Sequence, residues 1–171
     1  MTKTKLLVIL LSLISCSVYS QGFSTKQGGH CYSMDIPDYL TKTYDLNDDA
    51  SLQYQNVTKE AYVIVIDDYK DQLEALGMKF LSAQEFLDNF VSGYNTKAAN
   101  RQLGEVSVFE SNGNGHAQVE LTWQEEEVQF YMLITAVETQ GHFYKVMCWS
   151  LLENKDKLKN DFLAISKSIK D

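Results

Sequence analysis

The chain of 171 residues has a single proline, and its 15 lysines and arginines fall well short of its 23 aspartates and glutamates. With 44% hydrophobic residues, so little proline excludes a disordered acidic tail. The basic deficit excludes a nucleic-acid binder, because such affinity rests on Lys and Arg neutralising phosphates. It equally excludes a polybasic attraction to anionic lipid. Long hydrophobic runs are missing as well. The run Leu6–Ile14 has nine residues, too few for a bilayer core that needs about 20. No C-x-x-C or H-x-x-x-H spacing occurs, which would bring metal ligands together at low entropic cost. No serine or cysteine sits in a G-x-S-x-G elbow. GFSTKQGG has neither the spacing nor the preceding strand of a phosphate-binding loop.

What is present begins with an export signal over residues 1–20. Lys3 and Lys5 form a positive start, Leu6–Ile14 the apolar run, and small residues follow. The short, lysine-started signal points to a bacterial protein. LISCSVYSQ, residues 13–21, accommodates two cuts. Cleavage after Ser20 fits the small-x-small rule and leaves Gln21 at the N-terminus, a periplasmic or secreted protein. Cleavage before Cys16 fits a lipobox and leaves a membrane-anchored lipoprotein, the one route to a membrane here. The ordinary length from Ser15 to Ser20 and the apolar Val18-Tyr19 favour the cut after Ser20. The remaining 151 residues suffice for one domain, and with 13 basic against 23 acidic residues their formal charge is −10.

Residues 21–29, small and polar, read as a flexible tether, with one domain over 30–171. His30–Ile36 alternates and stops at Pro37, a first strand. Thr41–Asp45 is a short extension and Asn47-Asp48-Asp49 a turn. Strands follow over Ser51–Thr58 and Ala61–Asp67. AYVIVID is apolar on both faces, so it requires cover on both. Asp71–Leu81 reads as a weak helix or loop. Ser82 and Glu85 make a capping box, opening a helix with an apolar stripe at Phe86, Leu87, Phe90, Val91 and Tyr94 that ends around Asn95–Asn100. Glu105–Glu110, Ala117–Trp123, Val128–Val137 and Phe143–Ser150 form a meander. Its turns fall at Asn112–Gly115, Gln124–Glu127 and Gln140-Gly141. Leu158, Phe162, Ile165 and Ile169 mark a last helix over Asn154–Lys170.

The fold expected from this order is α/β in the α+β sense: a mainly antiparallel sheet covered by helices on both faces, an α/β/α sandwich. Three stretches carry a resemblance: CYSMDIPDYL, SLQYQNVTKEAYVIVIDD, and HFYKVMCWSLLENKDKLKNDFLAISKSIK. In them the chain resembles the PsbP-like family, whose fold is shared with the Ran-binding protein Mog and the envelope lipoprotein DcrB. The resemblance covers most of residues 30–170. It implies a small, non-enzymatic accessory or binding module, and it brings no catalytic motif to carry over.

Few residues are candidates for chemistry. Asp45, Asn47 and Asp49 match positions 1, 3 and 5 of an EF-hand loop, but Ala50 and Asn56 stand where a glycine and a bidentate glutamate are needed. An Asp/Asn turn is the expectation. His116 and His142 lie far from one another in sequence and from His30; a site assembled in space from His30, Cys31 and Cys148 stays open, but strand-end histidines with ordinary hydrogen bonds are the expectation. Cys31 and Cys148 could form one disulfide in an oxidising compartment, or stay as two buried thiols. Neither has the electropositive setting that makes a nucleophile. The runs Asp48-Asp49, Asp67-Asp68 and Glu125-Glu126-Glu127 read as solvated turns rather than acid/base pairs. Aromatics are the remaining resource: Tyr54, Tyr62, Tyr69, Tyr94, Trp123, Tyr131, Tyr144 and Trp149. At strand spacing they read as core, and left open in a concavity they would mark a binding site. The expectation is an exported envelope accessory protein without cofactor or catalysis that binds a protein partner, with a small-ligand or cation-binding protein as the alternative.

Overall fold

The computed structural model describes residues 22–29 and 31–171. The export signal, both proposed cuts (Cys16, and Ser20 with Gln21) and His30 lie outside the described residues. The first strand, β1 (Phe23–Gly28), pairs antiparallel with β2 (Tyr32–Pro37) as a separate hairpin. This corrects the tether expected over 21–29. Residues 23–28 carry no buried apolar face, so hydrophobic periodicity could not reveal them. They are held by the backbone ladder and by the hydroxyls of Ser24 and Thr25, which donate to Asp38 and Asp35. Gly28 is required there: a Cβ would lie 2.1 Å from Cζ of Tyr32.

The main sheet has the order β3 (Thr41–Lys42), β4 (Leu52–Asn56), β5 (Ala61–Tyr69), β10 (His142–Leu151), β9 (Val128–Glu138), β8 (Asn114–Glu125) and β6 (Ala99–Leu103). β7 (Ser107–Ser111) also pairs with β8, along its first half, whereas β6 pairs along its second. Every pairing is antiparallel. The Asn112-Gly113 turn joins β7 to β8 with both residues at positive φ, 52° and 78°, the geometry that two-residue hairpin turns need.

Both faces of this sheet are covered, as AYVIVID predicted. Ala61, Val63 and Val65 join a core with the β1–β2 hairpin and α3 (Lys155–Lys167), whose Leu158, Phe162 and Ile165 are buried. Ile64 joins a second core under α1 (Lys70–Ala75) and α2 (Ala83–Gly93). Ser82 caps α2 by accepting from the Glu85 N–H at 3.2 Å. The Glu85 carboxylate accepts from the Leu81 N–H at 2.8 Å, one residue earlier than a strict capping box places it.

The helical layer over the second core is short. Along β10 it runs from Phe143, whose ring stacks on Phe86 at 4.7 Å, to Lys145, whose ammonium lies 5.5 Å from the Phe90 ring centroid. An eleven-residue helix spans only about 16 Å, so α2 ends before the strands do. Beyond it, toward Trp149, the sheet face stays open.

A candidate ligand-binding groove

The open stretch forms a groove of about 370 Å³, within the usual range for small-molecule sites. Its floor is Ile64 of β5, Met132 of β9 and Met147 of β10, all at most 4% exposed. Two cross-strand aromatic pairs flank the floor. Trp123 of β8 stacks on Phe130 of β9 at 5.1 Å, and Tyr62 of β5 on Trp149 of β10 at 5.2 Å, each within 16° of parallel. The helix supplies one wall through Phe90 and Tyr94, four residues apart with ring centroids 5.0 Å from each other. Arg101 of β6 fixes this end of the helix by donating to the carbonyls of Val91 and Tyr94 at 2.8 and 3.2 Å.

Leu46 and Asn47, in the loop between β3 and β4, make the opposite wall. Their position depends on the buried Gln53. Its carbonyl oxygen accepts from the Leu46 and Asn47 N–H groups at 2.9 and 3.1 Å, and its NH₂ donates to the Asn47 carbonyl at 2.6 Å. The EF-hand-like residues of this loop act as turn formers: Asn47 Oδ1 accepts from the Asp49 N–H at 2.9 Å.

The rim carries negative charge. Glu125 lines the groove and accepts from Trp123 Nε1–H at 2.9 Å. Burial raises the pKa of the Tyr94 phenol, and the Glu125 carboxylate adds to the effect. Lys145, the cation beside Phe90, is paired with Asp68 at 2.8 Å, and the Arg101 guanidinium is spent on helix carbonyls. Sequence reasoning singled out Tyr94, Trp123 and Trp149 but assigned Phe90 to the core stripe and passed over Phe130. Of the other aromatics it named, Tyr54, Tyr131 and Tyr144 are core residues.

A second polar cluster lies at the opposite end of β10. His142 Nδ1 is 3.2 Å from Asp171 Oδ2, and Thr139 donates to the same oxygen at 2.6 Å. The Tyr69 ring packs edge-on to His142 at 4.5 Å, and Cys31 Sγ lies 3.8 Å from the Tyr69 hydroxyl. Tyr69 thus lies between the Cys31 thiol and the His142 imidazole, and among the described residues no Cys–His pair of the kind that activates a cysteine forms.

The disulfide considered between Cys31 and Cys148 does not form either; both thiols are free. Tyr69, the neighbour of Cys31, pairs with His142, six positions along β10 from Cys148, about 20 Å at the strand rise. Cys148 is fully buried, and burial pushes its thiol pKa up. Among the described residues, no three His, Cys, Asp or Glu side chains converge to hold a metal ion. His116 is buried on β8, its Nδ1 against the Asn114 carbonyl at 3.0 Å and its ring stacked on Phe109. Burial lowers its pKa.

No protein-family model matches the chain, and no curated protein matches it in sequence. Solved structures do match in shape. Cyanobacterial PsbP (CyanoP) from Synechocystis sp. PCC 6803 superposes with a TM-score of 0.62 at 14% identity, covering 92% of this chain and 98% of its own. LpqN, involved in cell envelope biogenesis of Mycobacterium tuberculosis, superposes with a TM-score of 0.58 at 11% identity, covering 86% and 89%. A protein of unknown function from Pseudomonas aeruginosa gives 0.50 at 9% identity, covering 82% and 91%. At these identities the likeness is one of fold, and the fold of this chain is the α/β sandwich of the PsbP-like proteins.

Proposed function

We propose that this chain is an exported, non-enzymatic accessory protein of the bacterial cell envelope that works by binding, and that the groove beside α2 is its binding site. The observation that carries the reading is that groove: about 370 Å³ of apolar, aromatic-lined space beyond the end of α2. Its dimensions favour a small ligand, or one side chain or tail of a larger partner, over a broad protein face. The signal pattern over residues 1–20 and the shape likeness to LpqN, an envelope-biogenesis protein, support the location. Among the described residues Tyr69 separates the Cys31 thiol from the His142 imidazole, which supports the non-enzymatic part.

Export is tested by cell fractionation with mass spectrometry of the N-terminus. The expected outcome is an envelope or secreted pool beginning at Gln21; an acylated Cys16 would make the protein an anchored one. A cytoplasmic pool retaining residues 1–20 would overturn the location. Binding is tested through Trp123 and Trp149, the chain's only two tryptophans, both of which line the groove. Apolar and amphiphilic compounds should shift their emission saturably and raise the melting temperature, since a ligand of the native state stabilises it. No shift across such a set at millimolar concentration would remove the groove as a site.

A further inference from the structure

Given that the groove is a binding site, we infer that its ligand is an amphiphilic cation, with an apolar body on the floor and a positively charged head at the Glu125 rim. Three features of the groove select this chemistry. Its walls hold five aromatic rings, those of Phe90, Tyr94, Trp123, Phe130 and Trp149, and the negative faces of such rings attract ammonium and guanidinium groups. Its rim is acidic: Glu125 is the one charged side chain among the lining residues. No lysine or arginine is among the lining residues; Lys145, over the Phe90 ring, is paired with Asp68. An anionic head would face the Glu125 carboxylate with no cation among the lining residues to offset it. A neutral head would leave Glu125, held by its bond from the Trp123 indole, without an ionic partner.

The floor accepts the apolar body for a separate reason. Ile64, Met132 and Met147 present no polar atom apart from thioether sulfur, and methionine adapts to varied apolar shapes. Body and head are therefore recognised by different residues, and they can be tested independently.

The experiment titrates the full mature chain with octyltrimethylammonium, octanol and octyl sulfate, each below its aggregation concentration, following tryptophan emission. The cation should bind about tenfold more tightly than octanol, with octyl sulfate weakest, and the advantage of the cation should shrink in high salt. Glu125→Gln should abolish most of that advantage while leaving octanol affinity unchanged. Phe130→Leu should weaken all three. Equal affinity for cation and alcohol, or an unchanged preference in Glu125→Gln, would overturn the inference while leaving the groove a binding site. Failure of all three compounds to bind would count against the groove itself.

Discussion

Gln53 and Asn47 are joined by two hydrogen bonds running in opposite directions: the Gln53 NH₂ donates to the Asn47 carbonyl at 2.6 Å, and the Asn47 N–H donates to Gln53 Oε1 at 3.1 Å. The same oxygen also takes the Leu46 N–H, so one buried amide side chain shapes a wall of the groove. Gln53→Leu keeps the volume and removes all three bonds. It should cost about 2 kcal/mol, because the loop's backbone groups lose their partners. The check is urea unfolding together with amide hydrogen exchange, in which Leu46 and Asn47 should exchange faster while β9 and β10 stay protected. Unchanged exchange at both amides would show that the loop is held by something else.

Glu120 is clamped by two lysines of α3, with Lys155 at 2.6 Å and Lys159 at 2.5 Å. Burial alone would raise its pKa, but the two ammonium groups outweigh it and hold the carboxyl below its ordinary value of 4.5. A carboxylate with a depressed folded-state pKa contributes stability that is fully present above its unfolded pKa and lost as pH falls through the folded one. Glu120→Gln should therefore cost about 1 kcal/mol at neutral pH, the scale of a partly exposed ion pair. The gap from wild type should close as the pH falls below about 4.5. Melting curves of both proteins from pH 7 to 3 make the comparison. A gap that persists unchanged at pH 3 would assign the effect to packing rather than charge.

How much could be read in advance followed where the apolar side chains fall. AYVIVID announced a strand covered on both faces because its side chains are apolar on both. Ser82 with Glu85 announced α2, and Asn112-Gly113 the β7–β8 turn. β6 went unseen because ANRQL has no buried apolar residue. Its inward group is Arg101, which closes the end of α2, and a bulge between Ala99 and Gln102 breaks the alternation. The groove was half legible. Trp123, Tyr94 and Trp149 stood out as aromatics, but Phe90 continues the apolar stripe of Phe86 and Leu87 without interruption. Whether a stripe is fully covered depends on where a helix stops over a sheet, and local sequence does not encode that distance.

Cys31 and Cys148 should behave as two unequal thiols. Cys148 has no exposed surface, and burial disfavours its thiolate; Cys31 is partly exposed beside Tyr69. In a chain beginning at Gln21, a thiol reagent such as Ellman's should titrate one group in the native protein and two after unfolding. Cys148→Ala should leave the native titre at one. Zero reactive thiols even in denaturant would mean that the two are bonded and that β5 and β10 pair in a different register.

The N-terminal strand offers a test in which its two descriptions predict opposite signs. In a flexible tether, Gly28→Ala would be neutral or slightly stabilising, because alanine only narrows the unfolded ensemble. In β1, the new Cβ would fall 2.1 Å from Cζ and 2.3 Å from the hydroxyl of Tyr32. That ring cannot easily retreat. It is 2% exposed, packs on Tyr144 at 4.8 Å between ring centroids, and shares a hydrogen bond with Ser51 at 2.9 Å. Gly28→Ala should therefore lose about 2 kcal/mol by overpacking. Tyr32→Phe gives the ring room at the hydroxyl end, so in that background the cost of Gly28→Ala should fall. Chemical denaturation of the four proteins of this double-mutant cycle measures the coupling between residues 28 and 32 directly. Coupling near zero would return residues 22–29 to a tether, whereas coupling of a kcal/mol or more requires β1 to lie against the core.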